Sequence, residues 1–217
     1  MIKWLFLIFF SGIISVDRNA ALHMMFSRPL VVSLVVGIIT SQIQLCLLCG
    51  IMIEVYGSLD VPVGTKIPKD DTFYAYVMSL LIGFEILKTP TDFILGMFLG
   101  IIFIYPVTFI EFIVRRINMS MYQSFMKKNL FKPDKLIFRS FIISFLKGVV
   151  VYNGLFLLMA VILNQLELDL RIFGDTNQYL VISTMFLAGY LVRFLSFRSV
   201  YKYFMFIAGA VLGWFLI

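Results

Sequence analysis

Residues 27–71 read SRPLVVSLVVGIITSQIQLCLLCGIMIEVYGSLDVPVGTKIPKDD, and this stretch decides the fold. After Arg28-Pro29 it is apolar almost without a break to Ile53. It then delivers Glu54, Asp60, Lys66, Lys69, Asp70 and Asp71 within a segment rich in Gly and Pro. The apolar run is about long enough to cross a ~30 Å hydrocarbon core once. Thr40-Ser41-Gln42 and Gln44 nevertheless sit at its middle, where an unbroken lipid-facing helix would avoid them. The stretch therefore predicts two half-length helices meeting at a polar break. Non-helical backbone at membrane depth is tolerated where protein or a wetted cavity covers it.

The rest of the chain makes the solvent clear. Of 217 residues, 61% are hydrophobic and only 14% charged, and the mean hydropathy is +1.00. Such a composition lacks the polar shell of a soluble protein and predicts an all-α, polytopic integral membrane protein with short, broken or re-entrant helices. The 24 Phe, 10 Tyr and 12 Met suit lipid-facing and inter-helix surfaces. A net charge of +6 is no nucleic-acid signal here, because the basic residues cluster between apolar runs. Cys46 and Cys49 lie three residues apart inside an apolar helical run, with no second pair or histidine to complete a zinc site. They read as small buried hydrophobes.

Before the central stretch, residues 1–16 carry Lys3 and then an apolar run from Trp4, the outline of a signal peptide. Asp17-Arg18 follows directly and no small-x-small site stands after the run, so an uncleaved, short first helix is expected. His23, the single histidine, stands between Leu22 and Met24-Met25 and reads as packed or interfacial.

After the central stretch, residues 73–87 form another short apolar segment, with Glu85 and Lys88 spaced for a local ion pair on one helix face. Residues 93–114 form a full-length span in which Gly96 and Gly100 have small-x-x-x-small spacing for close helix contact. Pro106 falls inside that span, and Glu111 pairs with Arg115 four residues on. Residues 115–139 carry seven basic side chains (Arg115, Arg116, Lys127, Lys128, Lys132, Lys135, Arg139) against Asp134 alone. This places the loop in the cytoplasm. It is read as an amphipathic in-plane helix, serving either for orientation alone or as a docking surface for a soluble partner or anionic lipid. Residues 140–163 form the next span, with Lys147 able to snorkel back toward the basic end. Residues 164–178 bear Glu167, Asp169 and Asp175 against Arg171, as suits the far side, and apolar runs at 179–195 and 201–217 follow.

In their order, Arg28-Pro29-Leu30, Gly37, Gly50, Glu54, Gly64 and Pro68-Lys69-Asp70 give the chain its resemblance to a known family. Pro106, Arg115-Arg116 and Ala188-Gly189-Tyr190 extend the similarity toward the end. The pattern resembles the membrane C component (enzyme IIC) of the mannose/sorbose class of bacterial phosphoenolpyruvate-dependent sugar phosphotransferase systems. The resemblance spans nearly the whole chain as scattered positions, in a divergent form. It implies one membrane domain of the enzyme IIC type over residues 1–217, with the basic cytoplasmic loop at 115–139. It implies a multi-pass protein of the bacterial cytoplasmic membrane, in a hetero-oligomer with a IID-type membrane subunit and served by soluble IIA and IIB phosphoryl carriers. The hexose would be moved by this chain, and the phosphoryl chemistry carried by the partners. No catalytic residue, metal or cofactor is expected on the chain, since it holds no phosphate loop, nucleophile elbow or metal-binding His pair. By the resemblance, the family usually continues with one more hydrophobic segment than this sequence has, which leaves full activity open.

The resemblance assigns sugar contact to Glu54, Asp60, Gly64 and Asp70. Ionised carboxylates accept hydrogen bonds from adjacent hydroxyls, and Gly64 would let backbone approach the sugar. The competing reading of these acids is an exposed loop with solvated charge. The family's small and apolar residues between Glu and Pro-x-Asp are replaced here by Tyr56, Asp60, Pro62 and Lys66, and Lys66 could neutralise Asp70. An alternative function follows from that departure: a degenerate, non-transporting homologue that anchors or regulates phosphotransferase components.

Overall fold

In a computed structural model of the chain, residues 2–19, 24–58, 67–127, 133–166, 176–191 and 200–216 are described, and every regular element among them is helical. The polar break is where the sequence puts it. Helix α2 (Pro29–Thr40) opens on Pro29, whose missing N–H costs nothing in the first turn. It stops at Ser41, which has φ 68°, and the Gln42 N–H donates to the Gly37 carbonyl at 3.0 Å. Helix α3 (Ile43–Ser58) then folds straight back along α2. A Cβ on Gly37 would meet Ile43 and Cys46, one on Gly50 would meet Ser33 and Leu30, and Arg28 pairs with Glu54. At 1.5 Å per residue, α2 and α3 are roughly 18 and 24 Å long, each short of the hydrocarbon core. The pair is an antiparallel hairpin with its tip at Thr40-Ser41-Gln42.

Helix α4 (Asp71–Gly83) fills the centre of the molecule. Every residue from Thr72 to Ile82 is buried, as a helix that is apolar all round must be. Its polar side chains find partners: Tyr74 OH donates to the Met97 carbonyl at 2.9 Å, and Ser79 OH to Ser33 Oγ at 2.9 Å. Tyr76 OH lies 2.9 Å from the Leu7 carbonyl and 3.0 Å from Asn153 Oδ1. Cys46 and Cys49 are both buried and free, Cys46 facing the Ser79 carbonyl at 3.6 Å. Helix α1 (Ile2–Asn19) runs antiparallel to α4, with Trp4 stacked on Phe84 at a centroid distance of 4.6 Å and Arg18 beside Thr72.

Helix α5 (Pro90–Lys127) lies along α4 through the two glycines the sequence singles out: Gly100 faces the Tyr74 ring and Gly96 faces Met78 and Leu87. Pro106 sits inside the helix. Two expectations about this region are corrected. The first is the in-plane helix at 115–139: α5 instead continues unbroken through 38 residues, about 57 Å, and α6 (Pro133–Lys147) comes back beside it, with Asn118 Nδ2 donating to Ser140 Oγ at 3.1 Å. No Gly or Pro occurs between Val107 and Lys127, so nothing local stops the helix there, and the returning α6 covers one side. The second is the Glu85–Lys88 helical pair: α4 ends at Gly83, Glu85 takes φ 55°, and its carboxylate faces Gln42 Nε2 at 3.5 Å instead.

The return helix does not stay α-helical. Residues Gly148–Tyr152 form one π-helical turn before α7 (Asn153–Gln165). Helices α8 (Thr176–Leu191) and α9 (Tyr201–Leu216) complete the described elements, α8 meeting the start of α5 through an edge-on Phe93–Tyr179 contact. Among the described residues, two rods are long and apolar enough to cross a membrane, α5 and the continuous run of α6, π-turn and α7.

The bundle has two polar ends. One holds the hairpin tip, Glu85 and Lys88. The other, the mouth of the hairpin, gathers Arg18, Arg28, Glu54, Asp70 and Asp71.

Candidate functional site

The mouth is built where α1 and α3 end and α2 and α4 begin. Asp17 closes the chain between α1 and α2: its buried carboxylate accepts the Met24 N–H at 2.6 Å and the Ser27 N–H at 2.9 Å. Arg18 then points across the mouth. It donates to Asp71, to Thr72 Oγ1 at 2.6 Å and to the Lys69 carbonyl at 2.5 Å, and its Nε stands 3.5 Å from Asp70 Oδ1.

Asp70 is the hub. It caps α4, with Oδ1 accepting the Phe73 N–H at 3.0 Å. Its Oδ2 accepts from Lys147 Nζ at 3.2 Å and from Tyr152 OH at 2.9 Å. The residue is 2% exposed. An ionised carboxylate offers about four acceptor directions, and here protein donors face all of them.

The π-turn is what brings two of those donors together. Lys147 and Tyr152 are five residues apart, which in an α-helix separates them by about 140°. A π-turn bonds residues five apart and stacks them, so both side chains reach the same oxygen.

Lys147 continues to Glu111 on α5, at 2.7 Å, and Glu111 accepts from Arg115 Nε at 3.2 Å. The expected Glu111–Arg115 pair is therefore present, but snorkelling of Lys147 is corrected. Its side chain is 2% exposed and turned inward onto two carboxylates. A buried ammonium is favoured in that direction because each carboxylate compensates its lost hydration, whereas apolar neighbours would not. The three acids Asp70, Asp71 and Glu111 are balanced by the three bases Arg18, Lys147 and Arg115.

Glu54 occupies the open side of the mouth, with its side chain 28% exposed. It accepts from the Leu30 N–H at 3.3 Å, capping the start of α2, and pairs at 3.2 Å with Arg28, whose side chain is 57% exposed. Nearby, Lys69 Nζ donates to Tyr56 OH at 3.1 Å and stands 5.6 Å from the Tyr105 ring centroid, Tyr105 being 60% exposed. Of the sugar contacts expected from sequence, Glu54 and Asp70 thus lie at the same end of the bundle. Asp60 and Gly64 fall outside the described residues, as do Lys66 and His23. Among the described residues, Arg18 and Lys147 are the cations at Asp70, and the contact that Lys66 could make lies outside them.

Sequence reasoning did not find Arg18, Glu111, Lys147 and Tyr152 as one cluster. A signal was present, since a lysine in mid-span and a glutamate in a neighbouring span are costly in lipid and belong together.

A helical fold without strands among the described residues, long apolar rods, and ionic side chains sequestered inside the bundle define an all-α membrane protein. The chain belongs to the family described as the PTS system sorbose-specific IIC component, whose model matches residues 1–216. Membership makes it a membrane component of a sugar-transporting phosphotransferase system, a transporter subunit of the mannose/sorbose class. No curated protein matches it.

Proposed function

We propose that this chain is the sugar-translocating subunit of its system, moving a hexose across the bacterial cytoplasmic membrane as a multi-pass protein. Residues 1–217 act as one membrane domain. A IID-type membrane subunit completes the hetero-oligomer, and soluble IIA and IIB carriers supply the phosphoryl group. The sugar is received at the mouth, at Glu54 and Asp70, with Asp60 and Gly64 on the connecting segment. The observation that supports this reading is the Glu54 carboxylate, part-exposed at the open end of a helical hairpin, the end at which Asp70 also lies. Carboxylate acceptors suit a polyhydroxylated ring.

Glu54→Gln is the direct test. It keeps the size but removes the charge-assisted acceptor, a loss worth roughly 1.5–3 kcal/mol. Sugar affinity of the assembled complex is expected to fall about ten- to a hundred-fold with insertion and assembly unchanged. Asp92→Asn is the control, because Asp92 caps α5 at the opposite end by accepting the Thr89 N–H at 2.9 Å, and it should leave affinity alone. A second reading, a membrane anchor or regulator that moves no sugar, is favoured by the protein partners that Glu54 and Asp70 already have. It gains if Glu54→Gln lowers stability while sugar affinity stays the same.

The mouth faces the cytoplasm in this proposal, because Arg115, Arg116, Lys135 and Arg139 extend from that end. A cysteine at Ser124, which is exposed on α5, is expected to react with a membrane-impermeant maleimide only in inside-out vesicles. Labelling from the outside of intact cells would reverse the topology.

A further inference from the structure

In the arrangement seen here the Asp70 carboxylate is closed to ligand, because donors from α1, α4, the end of α6 and the π-turn face every acceptor direction. For a sugar hydroxyl to bond to Oδ2, one of the two donors on that oxygen must leave. Lys147 is the one already standing on a second carboxylate, and it is nearer to that one: 2.7 Å to Glu111 against 3.2 Å to Asp70. We infer that Lys147 is a positioning residue for sugar binding, a counter-ion shared by Asp70 and Glu111 that a sugar hydroxyl displaces wholly onto Glu111. The inference rests on the reading of Asp70 as a sugar contact.

Charge accounting supports the exchange. With Lys147 on both acids, each carboxylate also has an arginine, Arg18 for Asp70 and Arg115 for Glu111. After the ammonium moves, Asp70 keeps Arg18 and gains a neutral hydroxyl donor, while Glu111 keeps both cations. Each of Asp70 and Glu111 keeps a cation within reach in both states, but Arg18 also pairs with Asp71 and then serves two acids, so the second state carries a cost that the bonds of the sugar must offset. The shift is small, since the ammonium gives up the longer of two contacts it already makes. The acids it links lie before α4 and on α5, so occupancy of the sugar site is reported to the long helix pair.

The exchange predicts opposite signs from two substitutions that a scaffolding role would move the same way. Lys147→Met removes the competing donor and is expected to tighten equilibrium binding of radiolabelled mannose or sorbose to the reconstituted complex by about tenfold, while slowing uptake. Glu111→Gln removes the charge of the alternative acceptor, biases the ammonium toward Asp70, and is expected to weaken binding by about tenfold. These magnitudes correspond to one charge-assisted hydrogen bond. If both variants weaken binding, Lys147 is only a strut and the exchange is wrong. Lys147→Gln, which keeps a neutral donor, is the companion variant should Lys147→Met assemble poorly, with intermediate tightening expected and weakening overturning the inference. Asp70→Asn tests the underlying reading separately. Unchanged affinity in that variant removes Asp70 from the sugar site, whatever the Lys147 and Glu111 variants do.

Discussion

Asp70→Ala is expected to cost the protein most of its stability. The substitution deletes the N-cap of α4, a loss of about 0.5–2 kcal/mol in itself. It also leaves the buried Lys147 ammonium with one carboxylate instead of two and the buried Tyr152 hydroxyl without the acceptor at 2.9 Å. Breaking a buried ion pair from one side costs roughly 3–5 kcal/mol, because the remaining charge stays desolvated. Together these effects take a large share of the ~5–15 kcal/mol that holds a typical domain folded. In detergent, the variant should give little monodisperse protein and an apparent unfolding midpoint lower by roughly 8–20 °C. Asp70→Asn keeps one of the two oxygens, as the cap on the Phe73 N–H or as the acceptor for Tyr152 but not both, so it should lose less. Equal midpoints for Asp70→Ala and the native chain would mean that the cluster does not hold α4 in place.

Gly148→Val should be nearly as damaging, for a steric reason. A Cβ at Gly148 would stand 2.6 Å from Ser15 Cβ and 2.9 Å from the Ser11 carbonyl carbon, and closer still to the Ser11 oxygen. The blocking atoms belong largely to the α1 backbone, so no rotamer change relieves them. Helix α1 would have to withdraw from the π-turn, giving up the Ser15 hydroxyl bond to the Ser144 carbonyl at 2.8 Å and drawing Arg18 off the mouth. Overpacking of this kind costs about 1–3 kcal/mol or more. Gly154→Ala, six residues on, is the matched comparison. Its Cβ meets nothing within 4 Å and replaces a poor helix former, so the same unfolding assay should show no loss. Similar losses at the two glycines would show that backbone propensity, not the α1 contact, sets the effect.

What the sequence revealed and what it hid follow from the range of the forces involved. The hairpin break was legible because three consecutive polar residues inside an apolar run are a local signal. So were the glycine pair at 96 and 100 and the Glu111–Arg115 spacing, each of which reads out one helix face. The extent of α5 was not legible, since basic residues in a row say where a segment sits and nothing about where a helix stops. The inward turn of Lys147 was hidden for a different reason. Its partners lie 77 and 36 residues away, and the π-turn that aims it and Tyr152 at one oxygen has no signature in GVVVY. The candidate sugar residues were half legible. Glu54 and Asp70 do share an end of the bundle, but the donors that occupy Asp70 come from three other parts of the chain.

The reversal at Ser41 also sets a parity. Taken as a single crossing, residues 29–53 would carry the chain to the opposite face once, and every later segment would be assigned to the wrong side. Because the chain doubles back at one residue of φ 68°, Arg28 and Glu54 end up paired on the same face, and α4 starts from the side on which α2 started. An even number of short traverses replaces an odd one. The sidedness of the long helices, of their basic ends and of the residues that close the mouth therefore hangs on a single left-handed peptide unit, and any count of spans made by hydropathy alone is inverted from that point onward.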